Sequence, residues 1–543
     1  MIPLDELLTP SQDRMPAILA RFASDRSAIE RRYPNAYSPL RYEKLTAYFG
    51  AWTEALEKLP FDAFTRPDRL DWLLFRNLLT RESERLGRSK AEFDEIASLV
   101  PFVLPLTQLD DARRDHLPID AEAAADVLDR ALSAITLFAK PHPEGTRVAV
   151  SAAGRGRAAK ATESVKETLK NWWTFYGGYD PLVGWWCRVP YEKLDKALTE
   201  YAAALKPSDN DAIVGDPVGR EALISELRAN FIPYTPEELI SKADADRQWC
   251  LAELERAAQE LGLPDGRAAI EAAKQDHCKP GEQVGLIRDL TREAIAFVED
   301  NELLTVPELA RDGWRMIMMS PEMQRVNPFF LGGETIWVSY PTDSMEHDFK
   351  QMSQRGNNKA FARATVHHEL IPGHYMQSFF QERYRPYRRQ FWTAFWVEGW
   401  TLHWEFLLWE RGFPQTALQR VGMLFWRLHR CARVLFSLKF HLGEWTPQQC
   451  IDLLVEEVGH EPKNAEAEVR RSFGGNYDPL YQLAYLIGGM QVHALHTEWL
   501  ASGKTDRAFH DAFLRENLMP IPALRAFLLD HPLEKNTDLL WHF

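Results

Sequence analysis

Residues 391–409 read FWTAFWVEGWTLHWEFLLW, from Phe391 to Trp409. Drawn as a helix, the segment is apolar on nearly every side, which places it in a protein interior with other helices packed around it. Yet it carries Glu398, His403 and Glu405, and buried charges require partners or metals. Helical patterning continues outward from it. Val127, Leu128, Ala131, Leu132, Ile135 and Phe138 recur at steps of three and four on one stripe. Thr235-Pro236-Glu237-Glu238 and Thr446-Pro447-Gln448-Gln449 each place a capping Thr before a first-turn Pro, with Glu or Gln at the third helical position. Strand text is scarce; the clearest run is Thr335-Ile336-Trp337-Val338-Ser339-Tyr340 after Gly332-Gly333. The expectation is a mainly α protein with a small β-sheet at most. The turn-rich stretch from Pro207 through Asp211 to Pro217 divides the chain into residues 1–210 and 211–543.

The chain has 543 residues, of which 45% are hydrophobic and 26% charged, so a large core is available. Subtracting 78 acidic from 64 basic residues leaves a net charge of −14, the wrong sign for binding nucleic acid. Five cysteines, an odd number with no C-x-x-C pair, point to buried free thiols rather than a disulfide framework. Asp5 and Glu6 stand where a signal peptide would carry positive charge, and no apolar run approaches ~18 residues. These features lead to the expectation of a soluble, cytoplasmic protein with no membrane partner. There is no G-x-S-x-G elbow and no Walker loop.

Chemistry concentrates upstream of the apolar helix, in Ala364-Thr-Val-His367-His368-Glu369-Leu-Ile-Pro372-Gly373-His374-Tyr-Met-Gln377. Neutral imidazoles suit Zn²⁺, and a Glu beside the first ligand can take a proton without itself binding the ion. On an unbroken helix His368 and His374 would stand about 120° apart. Pro372 has no N–H for the carbonyl of His368 and its ring clashes there, so the helix is expected to break at Pro372-Gly373 and return His374 to the side of His368. His367 is a reserve ligand. Glu398, thirty residues beyond His368 on the returning apolar helix, is the expected third ligand. Glu405 is expected to support the site from behind, and His403 to be a hydrogen-bonded core histidine.

His368-Glu369-Leu-Ile-Pro372-Gly373-His374, followed by Val397-Glu398-Gly399-Trp400 and Glu405, resembles the bacterial domain-of-unknown-function family 885. That family is grouped with the gluzincin-type zinc metallopeptidases. The resemblance extends through Tyr234–Leu239 and Gly443–Gln449. It implies a two-lobed helical bundle with a deep central cleft, similar to thimet-type oligopeptidases and helical zinc carboxypeptidases. Residues 1–210 would form one wall of that cleft and residues 211–543 would carry the metal. It further implies Zn²⁺ at His368, His374 and Glu398, with Glu369 as base. Tyr481 stands where the family pattern has Gln, Leu486 where it has Lys, and His403 where it has Tyr; these departures touch specificity more than the metal.

The expected function is zinc-dependent hydrolysis of peptide bonds, with Glu369 activating water and Tyr485 donating to the oxyanion. Tyr477 and Tyr481 are alternative donors. Gly333 and Thr335 offer a strand edge to an extended peptide, and Tyr481 a further substrate contact. Two other readings share these residues: a zinc amidase or carboxypeptidase acting on a small molecule, and a non-catalytic helical binding protein whose metal is closed off by His367 or His403.

Overall fold

The stripe read from residue 127 onward becomes one face of the helix Ala121–Ala139 in the computed structural model of the chain. Leu128, Ala131 and Ile135 are buried on that face, and Val127 and Leu132 pack against the same cluster. The structure describes residues 11–139, 151–206, 213–324, 329–474 and 477–543. The N-terminal reading at residues 1–10, the side chain of Phe138 and the 207–212 part of the expected boundary lie outside the described residues. The protein is mainly helical, and its chain forms two compact units: Met1–Phe64 with Phe75–Asp216, and Thr65–Leu74 with Pro217–Phe543.

In the first unit the helices Val103–Arg114, Ala121–Ala139, Ala152–Tyr176 and Pro181–Leu205 enclose a core that includes Leu106, Leu128, Val165, Leu169, Trp172 and Leu198. In the second unit, at the start of the helix Pro236–Leu261, Thr235 and Glu238 form the reciprocal capping box read from the sequence. Thr446 and Gln449 do the same for Pro447–Leu453. All five cysteines are buried and free.

The apolar stretch forms the helix Ala394–Glu410, capped by the Thr393 hydroxyl, and Trp396, Trp400 and Trp404 on it are wholly buried. It lies against the helix Tyr481–Ala501 with backbone touching backbone. A Cβ on Gly399 would stand 2.6 Å from the carbonyl carbon of Gly488, and one on Gly488 would stand 2.6 Å from the Phe395 oxygen. Only glycine permits that approach, which brings Tyr481 and Tyr485 beside Glu398. Gly488→Ala is expected to destabilise the protein by about 1–3 kcal/mol, read as a lower urea midpoint, because backbone rather than a mobile side chain would have to yield.

The sheet has two strands. β1 (Arg315–Met318) and β2 (Thr335–Val338) run parallel, with Arg315 opposite Thr335 and Met318 opposite Val338. Leu331 bridges Trp337 from the other side, exchanging both backbone hydrogen bonds with it at 3.0 and 2.8 Å. The sequence reading finds β2 but not β1, whose four residues carry no turn signal, and it extends β2 two residues too far.

Candidate metal centre

The helix Lys359–Glu369, capped by the Asn358 side chain, is buried from Ala360 to Glu369. It stops at Leu370, and a new helix, His374–Gln381, starts beyond the cis Ile371–Pro372 peptide and Gly373. Gly373 N–H donates to His367 O at 3.0 Å, and Trp400 Nε1 donates to Pro372 O at 2.8 Å, so the junction is tied both to its own helix and to the apolar one. A Cβ on Gly373 would stand only 1.8 Å from His368 O, so this close approach requires glycine. Across the break the rings of His368 and His374 stand 5.0 Å apart, nearly perpendicular.

Three ligand-type atoms converge there. Glu398 Oε2 lies 3.3 Å from His374 Nε2 and 3.8 Å from His368 Nε2, and it is buried without a well-directed hydrogen-bond partner. The opposite atom of each group is engaged. His368 Nδ1 bonds Glu405 Oε1 at 2.8 Å, and His374 Nδ1 bonds Gln377 Oε1 at 3.0 Å. Tyr481 donates its hydroxyl proton to Glu398 Oε1 at 2.6 Å. Gln377 is itself oriented, because its amide nitrogen donates to the carbonyls of Trp396 and Val397. Carboxylate and amide oxygens accept, so each Nδ1 carries a proton and each Nε2 faces Glu398, where it can take a metal ion in place of a second proton.

The charges agree with this geometry. Burial disfavours a proton on His374, but the Glu398 carboxylate overrides it and lifts the ring to about 9. Burial pushes Glu398 up, and His374 and His368 pull it down to about 2. His368 is held well below its ordinary value by burial and by Arg430. Burial raises Glu369 to about 7. The three groups are arranged to stabilise one positive charge between them. Two imidazoles and a carboxylate, each steadied by a second hydrogen bond, form a donor set that fits Zn²⁺. Glu405→Gln is expected to weaken metal binding about 10–100-fold, measured by competition with a chromogenic chelator, because it replaces the carboxylate that orients His368.

A cavity of about 450 Å³ in the second unit opens onto this centre. Glu369 lines it, with its carboxylate close to both histidines: the three groups offer ligand atoms within 4.8 Å of one another. Gly333, Tyr477, Tyr481 and Tyr485 also line it. The Tyr485 ring lies parallel to His368 at 6.2 Å and beneath the Arg433 and Arg430 guanidinium groups at 4.4 and 4.8 Å. Tyr481 is committed to Glu398 and stacks on Tyr477 at 4.5 Å. Thr335, on β2, is not among the lining residues. The expected strand edge is also narrowed, since Leu331 takes both backbone groups of Trp337.

His367 is fully buried with its ring edge-on to Phe413, and His403 bonds His510; neither lines the cavity. Sequence reasoning passes over Gln377, Arg430, Arg433 and Arg471. Gln377 is legible as the i+3 neighbour of His374 on a helix. Arg430 and Arg433 give a weaker form of the signal that Glu398 gives, charge among large apolar residues on the helix Ala417–His441.

The whole-chain pattern has relatives. The model of a family described as bacterial proteins of unknown function, DUF885, matches residues 20–528. No curated protein matches the sequence. Among solved structures, one described as "a putative lipoprotein of unknown function" from Shewanella oneidensis superposes with a TM-score of 0.69 at 17% identity, covering 95% of this chain and 100% of that one. A second, described as a "putative lipoprotein" from Colwellia psychrerythraea, gives 0.59 at 15% identity over 95% and 97%. At these identities the likeness is one of fold. The cytoplasmic location expected from the sequence is not upheld, since each of these similar proteins is described as a "putative lipoprotein". Among the described residues no helix is long and apolar enough to cross a membrane. With 509 consecutive positions matched, the chain belongs to the DUF885 family of bacterial proteins of unknown function.

Proposed function

We propose that this protein is a zinc-dependent hydrolase that cleaves peptide bonds in short peptides, with His368, His374 and Glu398 as metal ligands. The observation that carries the reading is the convergence of His368 Nε2, His374 Nε2 and Glu398 Oε2, each backed by an independent hydrogen bond on its other polar atom. The H-E-x-x-P-G-H spacing supports it through its resemblance to gluzincins and, at the level of the helical scaffold, to thimet-type oligopeptidases. Bound Zn²⁺ would polarise a scissile carbonyl and ease deprotonation of water.

The chain's own groups do the remainder. Glu369 accepts the proton of the attacking water and returns it to the leaving amine. Tyr485, lining the cavity and free of the tie that holds Tyr481, donates its phenolic proton toward the developing oxyanion. Tyr481 holds Glu398 in its ligating orientation. Carried over from the two lipoproteins, the proposed setting is the cell envelope.

One observation favours a narrower second reading, cleavage next to a free carboxylate as in a carboxypeptidase or small-molecule amidase. Arg430, Arg433 and Arg471 line a cavity of only about 450 Å³, and Arg433 Nη1 is buried with no hydrogen-bond partner. Incubating zinc-loaded protein with a peptide library and with C-terminally amidated copies tests both readings. Metal-dependent cleavage lost in Glu369→Gln supports hydrolysis, and loss of cleavage on amidation selects the second reading. No cleavage of any peptide by metal-replete protein contradicts peptide hydrolysis in either form.

A further inference from the structure

Beyond the cavity, the helices Ala394–Glu410 and Tyr481–Ala501 meet again at a group of histidines that the proposed hydrolysis does not use. His403 is fully buried on the first helix, and His493 and His496 share a face of the second as an i, i+3 pair. The ring of His403 stands 5.5 Å from that of His493 and 5.0 Å from that of His496. His403, His493 and His496 each offer a nitrogen, and these atoms lie within 4.8 Å of one another.

The protons on these rings follow from their partners. His510 Nδ1 lies 2.7 Å from the Leu303 carbonyl, which only accepts, so the proton is on Nδ1 and His510 Nε2 is an acceptor. His403 Nε2, 2.9 Å away, must then donate, which leaves His403 Nδ1 as a lone pair, buried and without a partner. His496 Nε2 donates to Asp506 Oδ1 at 2.9 Å, and His493 Nε2 lies 3.2 Å from Glu410 Oε1. His493 Nδ1 is likewise buried and unpartnered. Each of the three rings thus turns its Nε2 to an outer partner, and His403 and His493 keep a bare, buried Nδ1. Unpaired buried acceptors are costly, and a cation shared between them removes the cost.

We propose that His403, His493 and His496 form a second transition-metal site, a three-imidazole clip joining the two helices that carry Glu398 and Tyr485. Three neutral nitrogen donors suit Zn²⁺, Co²⁺, Ni²⁺ or Cu²⁺ rather than the oxygen-seeking Mg²⁺ or Ca²⁺. At a metal–nitrogen distance of about 2.0–2.1 Å, tetrahedral donors stand about 3.3 Å apart, so small ring rotations close the site. His493, with 28% of its side chain accessible, provides the entry route. The site shares no residue with the cavity centre.

The test is Co²⁺ added to excess and removed by desalting, followed by metal analysis and absorption spectroscopy, on wild type, His374→Ala, His493→Ala and the double variant. The expected stoichiometries are two, one, one and none, with circular dichroism checking the fold. His374→Ala that retains no ion, or a retained ion that survives His493→Ala, overturns the second site. A sulfur-to-cobalt charge-transfer band from the ion retained in His374→Ala also overturns it, because that signature belongs to Cys250 and Cys431 near Asp246. Should His493→Ala misfold, X-ray absorption of cobalt-loaded His374→Ala decides: an imidazole-only protein shell supports the site and a carboxylate-containing one refutes it. Equal metal content in wild type and His374→Ala would instead count against the cavity centre, so failures of the two sites are distinguishable.

Discussion

Glu369→Gln is expected to lower kcat for any peptide the protein hydrolyses by about 10²–10⁴-fold while leaving the zinc content unchanged. The argument rests on placement. Glu369 follows His368 directly but ends its helix, so its carboxylate lines the cavity beside the two histidines instead of joining Glu398. Glutamine keeps the shape and the helix end but cannot accept a proton. Because Glu405, Gln377 and Tyr481 orient the ligands, the metal has no reason to leave. Turnover and elemental analysis on the same preparation check this. Unchanged kcat removes Glu369 as the base, and lost zinc makes it a ligand.

Asp71→Ala is expected to destabilise the second unit by about 3–5 kcal/mol, measured by urea denaturation. Arg388 is completely buried; it bonds Asp71 Oδ1 at 2.7 Å and Glu516 Oε2 at 2.6 Å, and Tyr387 donates to Asp71 Oδ2 at 3.0 Å. Burial raises the Asp71 carboxyl above its ordinary value even with Arg388 against it, which shows how strongly this interior disfavours charge. Removing one partner of such a pair leaves the other charge buried and under-compensated. The same contacts bind residues 65–74 into the second unit, together with Arg66, which donates to the carbonyls of Ala526 and His531. Glu516→Ala, at a more accessible position, is expected to cost less; a loss below about 1 kcal/mol for Asp71→Ala contradicts this assignment.

What can be read from the sequence and what cannot divide along a physical line. The helical class is legible because 3.6-residue stripes and capping boxes are local signals. The nearness of His368 and His374 is legible because Pro372 and Gly373 interrupt the helix between them. Glu398 is legible because a carboxylate on an all-apolar helix needs a reason to be there. Asp71 is not, since it sits in an ordinary amphipathic stretch and its partner is 317 residues away. β1 is not, because four residues pairing in parallel with a strand seventeen residues on leave no local trace. The histidine cluster at His403 is not legible, because His493, His496 and His510 reach it from other helices.

Anomalous diffraction at the zinc edge, from crystals of zinc-loaded protein, tests the central claim most directly. A peak within about 2.0–2.2 Å of His368 Nε2, His374 Nε2 and Glu398 Oε2, facing the cavity beside Glu369, is the predicted result. A map with no peak among those three atoms, from protein shown to be saturated with zinc, would contradict it.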